Sequence, residues 1–145
     1  MMSASDLDRF RDAQKRDFQT AFSEIRSGRK RSHWMWYIFP QIRGLGMTST
    51  ADYYGIADLE EAKAYLSDPY LSGNLLEISK ALLELKESNP SRIFGYPDDL
   101  KLRSCMTLFY LAAEGEEKAV FKAVLDKYYS GQQDDLTIKQ LGRNR

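Results

Sequence analysis

The chain has 145 residues, of which 43% are hydrophobic and 29% are charged, and its 21 basic residues balance its 21 acidic ones. This length and composition are typical of one folded domain and exclude a disordered or low-complexity chain. The zero net charge disfavours a protein that binds nucleic acid over its whole surface. With Cys105 as the single cysteine and His33 as the single histidine, an internal disulfide and any site that needs two imidazoles are excluded.

Apolar positions repeat every three or four residues along most of the chain, which predicts helices. The first predicted helix has Asp6 as its N-cap and ends at Ser27-Gly28. The run Asp58-Leu59-Glu60-Glu61 fits a capping box, and Pro69 ends the helix that this box begins. Short helices are predicted over 32–40 and after 48–50, and longer or later ones over 69–85, 97–113, 116–129 and 136–141. We therefore predict one all-α domain of about six to eight helices over residues 1–145, with its core at about 6–142 and flexible termini.

Residues 26–50 differ from the rest of the chain in charge and aromatic content. No acidic residue occurs between Glu24 and Asp52, whereas both tryptophans and the only histidine lie in this interval. Cations beside aromatic faces suit phosphate groups and base rings. Ser32 is the expected N-cap of the short helix here, and Pro40 its expected end. The basic residues of the interval are Arg26, Arg29, Lys30, Arg31 and Arg43.

Two further features point to an anion. Gly44 and Gly46 allow backbone N–H groups to converge, and the run Thr48-Ser49-Thr50 can begin a helix whose N-terminus attracts phosphate. This pattern is neither the Walker motif nor the dinucleotide fingerprint. On the helix predicted over 97–113, Lys101, Arg103 and Ser104 flank the apolar stripe and could supply ligands at the edge of a pocket.

Each feature also has a structural explanation. His33 could act as a general acid or base, or it could bond a carbonyl and hold its loop in place. Trp36 could stack on a ligand or belong to the core. The run Arg29-Lys30-Arg31 is also typical of a solvated helix end. Gly44 and Gly46 could form only a simple turn. Lys101 and Arg103 could do no more than pair with the two aspartates before them.

The runs 28–46, 54–56 and 97–109 resemble the bacterial and fungal family known as domain of unknown function 1810, and the match extends from Asp6 to about Gly142. Cys105 stands where a serine or another small residue is expected. The resemblance implies a small, mainly α-helical domain and no established activity, so no catalytic residue is carried over. The label "calpastatin", sometimes attached to such chains, fits poorly, because those inhibitors are disordered repeats.

The leading hypothesis is a pocket for a phosphate-bearing small molecule, foremost a nucleotide. His33 is the catalytic candidate if the protein performs hydrolysis or group transfer, and both an enzyme and a binding protein remain open. The alternative is a module that binds nucleic acid or a protein partner without catalysis, and a third interpretation is a purely structural segment. We expect a cytoplasmic protein with no cofactor, no metal and no membrane contact. The candidate ligand-binding residues are Lys30, Arg31, Trp36, Gln41, Arg43, Gly44, Gly46, Ser49, Lys101, Arg103 and Ser104.

Overall fold

A computed structural model of the chain describes residues 7–144, and these residues form nine helices. The helices are α1 (Asp8–Arg26), α2 (Met35–Ile38), α3 (Ser49–Tyr54), α4 (Leu59–Ser67), α5 (Pro69–Glu84), α6 (Pro90–Phe94), α7 (Asp98–Ala112), α8 (Gly115–Tyr129) and α9 (Asp135–Arg143). The described part of the chain has no β-strand. It contains an isolated parallel β-bridge between Ile42 and Ile56. The all-α prediction is confirmed.

Helix boundaries follow the capping residues in the sequence. The Asp58 carboxylate accepts the N–H of Glu61 at 2.9 Å, and the Glu61 carboxylate accepts the N–H of Ala57 at 2.7 Å. The predicted capping box is therefore present, although Glu61 reaches one residue further back than the pattern requires. Asp68 caps α5, whose first residue is Pro69. The predicted cap Asp6 lies outside the described residues.

Two local expectations differ from the structure. Helix α6 was not predicted, because five residues are too few to show an apolar period, although Asn89 and Pro90 supply the expected cap and first position. Helix α2 begins at Met35 with Trp34 in the N-cap position, so Ser32 is not its cap. The Ser32 hydroxyl instead donates to Glu24 at 2.6 Å, since a carboxylate is the stronger acceptor.

The core is built around aromatic rings from four helices. Phe10 of α1 meets the edge of Tyr65 of α4 at a centroid distance of 5.3 Å, and Tyr65 meets Phe109 of α7 at 5.0 Å. Phe121 of α8 continues this chain of rings, and all four side chains are fully buried. Burial of such large rings is a major source of stability in a domain of this size. None of the described helices combines the length and apolar character needed to cross a membrane.

The segment between α2 and α3 is fixed by the isolated bridge against the connection between α3 and α4. The Ile56 N–H donates to the Gln41 carbonyl at 2.8 Å, and the Arg43 N–H donates to the Ile56 carbonyl at 2.7 Å. Ile42 and Ile56 are both buried. The backbone of Gln41 is thus held by hydrogen bonds, and its side chain is placed where the segment passes α7.

Candidate functional site

The two segments that the sequence singles out meet at Asp98. Lys30 Nζ lies 2.9 Å from Asp98 Oδ2, and Lys101 Nζ lies 2.9 Å from Asp98 Oδ1. Partial burial by itself raises the pKa of the Asp98 carboxyl, but the hydrogen bonds from Lys101 and Lys30 outweigh it and lower the pKa. Lys30 is therefore a structural cation, with 9% of its side chain exposed.

A cavity of about 230 Å³ lies between the segment after α2, the start of α7 and the start of α9. It unites residues separated by more than fifty positions in the chain, including six of the predicted ligand-binding residues. Its lining residues are Trp36, Gln41, Leu45, Gly46, Pro97, Leu100, Lys101, Arg103, Ser104, Asp134 and Leu136.

Cations and an aromatic ring meet in the wall of this cavity. Lys101 Nζ lies 4.2 Å from the centre of the Trp36 ring, which is a favourable cation–π distance. Asp98 takes one of the three N–H donors of Lys101, so the ammonium retains donors for another group. Arg103 pairs with Asp134, not with the nearby aspartates at the start of α7, and its Nη2 is 3.8 Å from Asp134 Oδ1.

Two buried donors at the cavity have no hydrogen-bond partner within residues 7–144. They are Nε2 of Gln41 and Nε of Arg103. Gln41 is only 7% exposed, so its amide is largely withdrawn from solvent. A buried donor without a partner costs about 1–3 kcal/mol, which makes such groups rare in folded proteins. An acceptor that reaches either atom would remove this cost there.

Asp134 is the charged wall residue that sequence analysis missed as a candidate. It is 7% exposed, and its Oδ2 accepts the Thr137 hydroxyl at 2.6 Å, the Thr137 N–H at 3.2 Å and the Ser104 hydroxyl at 2.9 Å. The sequence shows Asp134 only as a helix cap, which it is for α9. Its proximity to Ser104 depends on how α9 packs on α7, and no local pattern reports that.

Gly46 is required by the packing of the cavity wall. A Cβ on this residue would lie 2.5 Å from the Ala51 Cβ and 3.2 Å from the Trp36 ring. The glycine therefore allows the Trp36 ring to lie against the loop. Gly44 lies outside the cavity wall and is needed for a different reason, because its φ is +108° and the Gln140 side chain lies against it.

His33 and Arg31 do not line the cavity. Both side chains are exposed, and within the described residues neither makes a side-chain hydrogen bond or ion pair. Their loop is organised by Glu24, whose carboxylate accepts the Arg31 and Ser32 N–H groups and the Trp34 indole N–H at 3.0 Å or less. Trp34 is only 1% exposed and belongs to the core.

Arg43 and Ser49 also lie outside the cavity wall. The Arg43 guanidinium donates to the Gly55 carbonyl at 3.1 Å and the Asp52 carbonyl at 3.3 Å, so it stabilises the C-terminal end of α3. Ser49 is the exposed first residue of α3. Thr48 caps that helix by accepting the Ala51 N–H, as the hydroxyl-rich run predicts.

Comparison with known proteins identifies the family and leaves the activity open. No curated protein matches the chain. The crystal structure of the conserved hypothetical protein Rv1873 from Mycobacterium tuberculosis is similar, with a TM-score of 0.90 and 45% sequence identity over 94% of this chain and 96% of that one. The model of the family described as "protein of unknown function (DUF1810)" matches residues 4–141. The chain therefore belongs to the DUF1810 family, as the motifs at 28–46 and 97–109 predict.

Proposed function

We propose that the cavity between the 36–46 segment and α7 binds a phosphate-bearing small molecule of the nucleotide type. The observation that carries the proposal is the buried Gln41 side chain, which lines the cavity and whose Nε2 has no hydrogen-bond partner among the described residues. A ligand oxygen is the group that such a donor requires.

The charges of the wall also favour an anion. Lys101 and Arg103 contribute two positive charges, whereas Asp134 contributes one negative charge. Phosphate oxygens are strong acceptors for ammonium and guanidinium donors, and such charged hydrogen bonds are about twice as strong as neutral ones. Trp36 adds a flat ring that is only partly exposed and can pack against a base or a sugar.

The proposal is for binding, and His33 has no assigned role in it. The imidazole is exposed and lies outside the cavity wall. It therefore does not contact a ligand bound there and cannot exchange a proton with it. Hydrolysis or group transfer would need an acid or base nearer to the ligand.

The test is isothermal titration calorimetry with AMP on the full chain and four variants. We expect Lys101→Gln and Arg103→Gln to weaken AMP binding about tenfold or more, because each removes a charged hydrogen bond. Lys122→Gln is the matched control for Lys101, since Lys122 forms an exposed ion pair with Asp126 on α8. Arg31→Gln is the control for Arg103, and neither control should change the affinity.

Two results would contradict the proposal. One is the absence of AMP binding and of any thermal stabilisation at saturating AMP. The other is an equal loss of affinity in Arg31→Gln and Arg103→Gln, which would place binding on the exposed basic surface. Binding of single-stranded RNA that falls steeply with salt and depends on Arg31 would favour the nucleic-acid module instead.

A further inference from the structure

We infer that Asp134 makes this cavity selective for the hydroxyl groups of a phosphorylated sugar. The inference rests on the function proposed above and adds the chemical class of the ligand. It follows from three features: the two unequal oxygens of the Asp134 carboxylate, the unpartnered donors of two other residues that line the same cavity, and the shape of that cavity.

The two carboxylate oxygens of Asp134 have different surroundings. Oδ2 accepts three hydrogen bonds, from two groups of Thr137 and from Ser104, and these fix the side chain. For Oδ1, the described residues offer only the Arg103 guanidinium at 3.8 Å, which is too far for a hydrogen bond. A carboxylate oxygen that accepts no hydrogen bond is an acceptor available to a ligand donor.

The cavity therefore presents an available acceptor together with unpartnered donors. The acceptor is Asp134 Oδ1, and the donors are Gln41 Nε2 and Arg103 Nε. A hydroxyl group donates and accepts at once, so a sugar can satisfy both kinds of group. An anion without hydrogens, such as sulfate, can satisfy only the donors and is repelled by the carboxylate.

The shape of the site agrees with a ligand in two parts. The cavity of about 230 Å³ is smaller than the roughly 300–1,000 Å³ of pockets that hold drug-sized molecules. A wider groove of about 710 Å³, lined by residues 131–136 and Ile138, shares Arg103, Asp134 and Leu136 with it. Asp134 thus lies where the cavity and the groove meet. The sugar of a nucleotide or of a free sugar phosphate would lie at this junction.

The experiment compares ribose 5-phosphate, AMP and sulfate on the full chain and on Asp134→Asn. Asparagine keeps an acceptor for the α9 cap and removes the charge. We expect the variant to bind ribose 5-phosphate and AMP about five- to tenfold more weakly, because a charged hydrogen bond becomes a neutral one. Sulfate should bind the variant at least as tightly as it binds the parent chain.

Asp58→Asn is the matched control, because Asp58 caps α4 as Asp134 caps α9 but lies outside the cavity. It should change none of the three affinities. If Asp134→Asn does not fold, the test compares two ligands on the parent chain instead: ribose 5-phosphate and 2-deoxyribose 5-phosphate. We then expect the deoxy sugar phosphate to bind the parent chain about fivefold more weakly than ribose 5-phosphate, since it lacks a hydroxyl donor.

The outcomes separate this inference from the proposed function. If AMP binds through Lys101 and Arg103 while Asp134→Asn shifts sulfate and ribose 5-phosphate in the same direction, the inference fails and the proposed function remains. If none of the three probes binds, both fail. Weaker binding of ribose 5-phosphate by Asp134→Asn, with unchanged or tighter binding of sulfate, supports the inference. In that case AMP binding tighter than ribose 5-phosphate identifies a nucleotide, and equal affinities identify a free sugar phosphate.

Discussion

Two regions of this molecule carry clustered cations and a tryptophan, and they use them in different ways. Around Glu24, the loop of residues 29–34 is held by hydrogen bonds to one carboxylate, and Arg31 and His33 are exposed and lie outside the cavity wall. Around Gln41, side chains from three distant segments meet at a cavity, and two buried donors there have no partner in the described structure. The denser cluster in the sequence is thus the structural one, and the sparser cluster has the better-formed recess.

The largest expected effect comes from removing the carboxylate that organises the first region. Glu24→Ala should destabilise the protein by about 3 kcal/mol, because several donors lose a shared charged acceptor. Urea unfolding measures this difference. Ligand affinity at the cavity should stay within twofold of the parent value at temperatures where the variant is folded. If the folded variant binds the ligand more than twofold more weakly than the parent chain, the two regions are not independent.

The same variant gives a pH dependence with a fixed sign. Partial burial alone would raise the pKa of Glu24, but hydrogen bonds from the Ser32 hydroxyl, the Arg31 N–H and the Trp34 indole lower it to about 2 from its ordinary 4.5. A carboxyl with a lowered pKa in the folded state stabilises above its unfolded pKa and loses that contribution as the pH falls towards its folded pKa. The stability difference between parent and Glu24→Ala should therefore be constant above about pH 5 and shrink towards pH 2. A difference that stays flat down to pH 2.5 would contradict the assigned hydrogen bonds.

A smaller effect is expected from a methyl group in the wall of the second region. Gly46→Ala should cost about 1–3 kcal/mol and weaken AMP binding, because its Cβ would overlap Ala51 and press on Trp36. Gly73→Ala is the matched control, since Gly73 lies within α5 and nothing approaches within 4 Å of its added Cβ. That variant should gain about 0.5–1 kcal/mol from helix propensity, with unchanged affinity. Equal stability changes in the two variants would mean that the Gly46 contact does not constrain the wall.

The smallest effect is expected at His33, the residue that the sequence singles out as the catalytic candidate. His33→Ala should change stability by less than about 0.5 kcal/mol, because the side chain is exposed and has no partner in the described structure. It should leave the affinity for AMP unchanged. A tenfold loss of affinity for AMP in this variant, at unchanged stability, would show that His33 contributes to the binding site.

Most of the fold could be predicted from the sequence, because helix caps, prolines and apolar periods are local signals. Asp58 and Pro69 mark real boundaries, and the helix that was missed is too short to have a period. The site could be predicted only in part. Trp36, Gln41 and Lys101 lie in conspicuous segments, whereas the pairing of Arg103 with Asp134 links α7 to the start of α9 through tertiary packing alone. For the same reason Lys30, which looks available in the sequence, is paired with Asp98.

The two tryptophans allow the central claim to be tested in one spectrum, because one belongs to each region. Trp34 is buried beside Glu24, and Trp36 lines the cavity. In a ¹⁵N–¹H spectrum the two indole N–H signals can be assigned with Trp34→Phe and Trp36→Phe and followed during titration with AMP. The account predicts that the Trp36 signal shifts in a saturable manner while the Trp34 signal stays in place. A saturable shift of the Trp34 signal alone, or no shift of either signal, would contradict it.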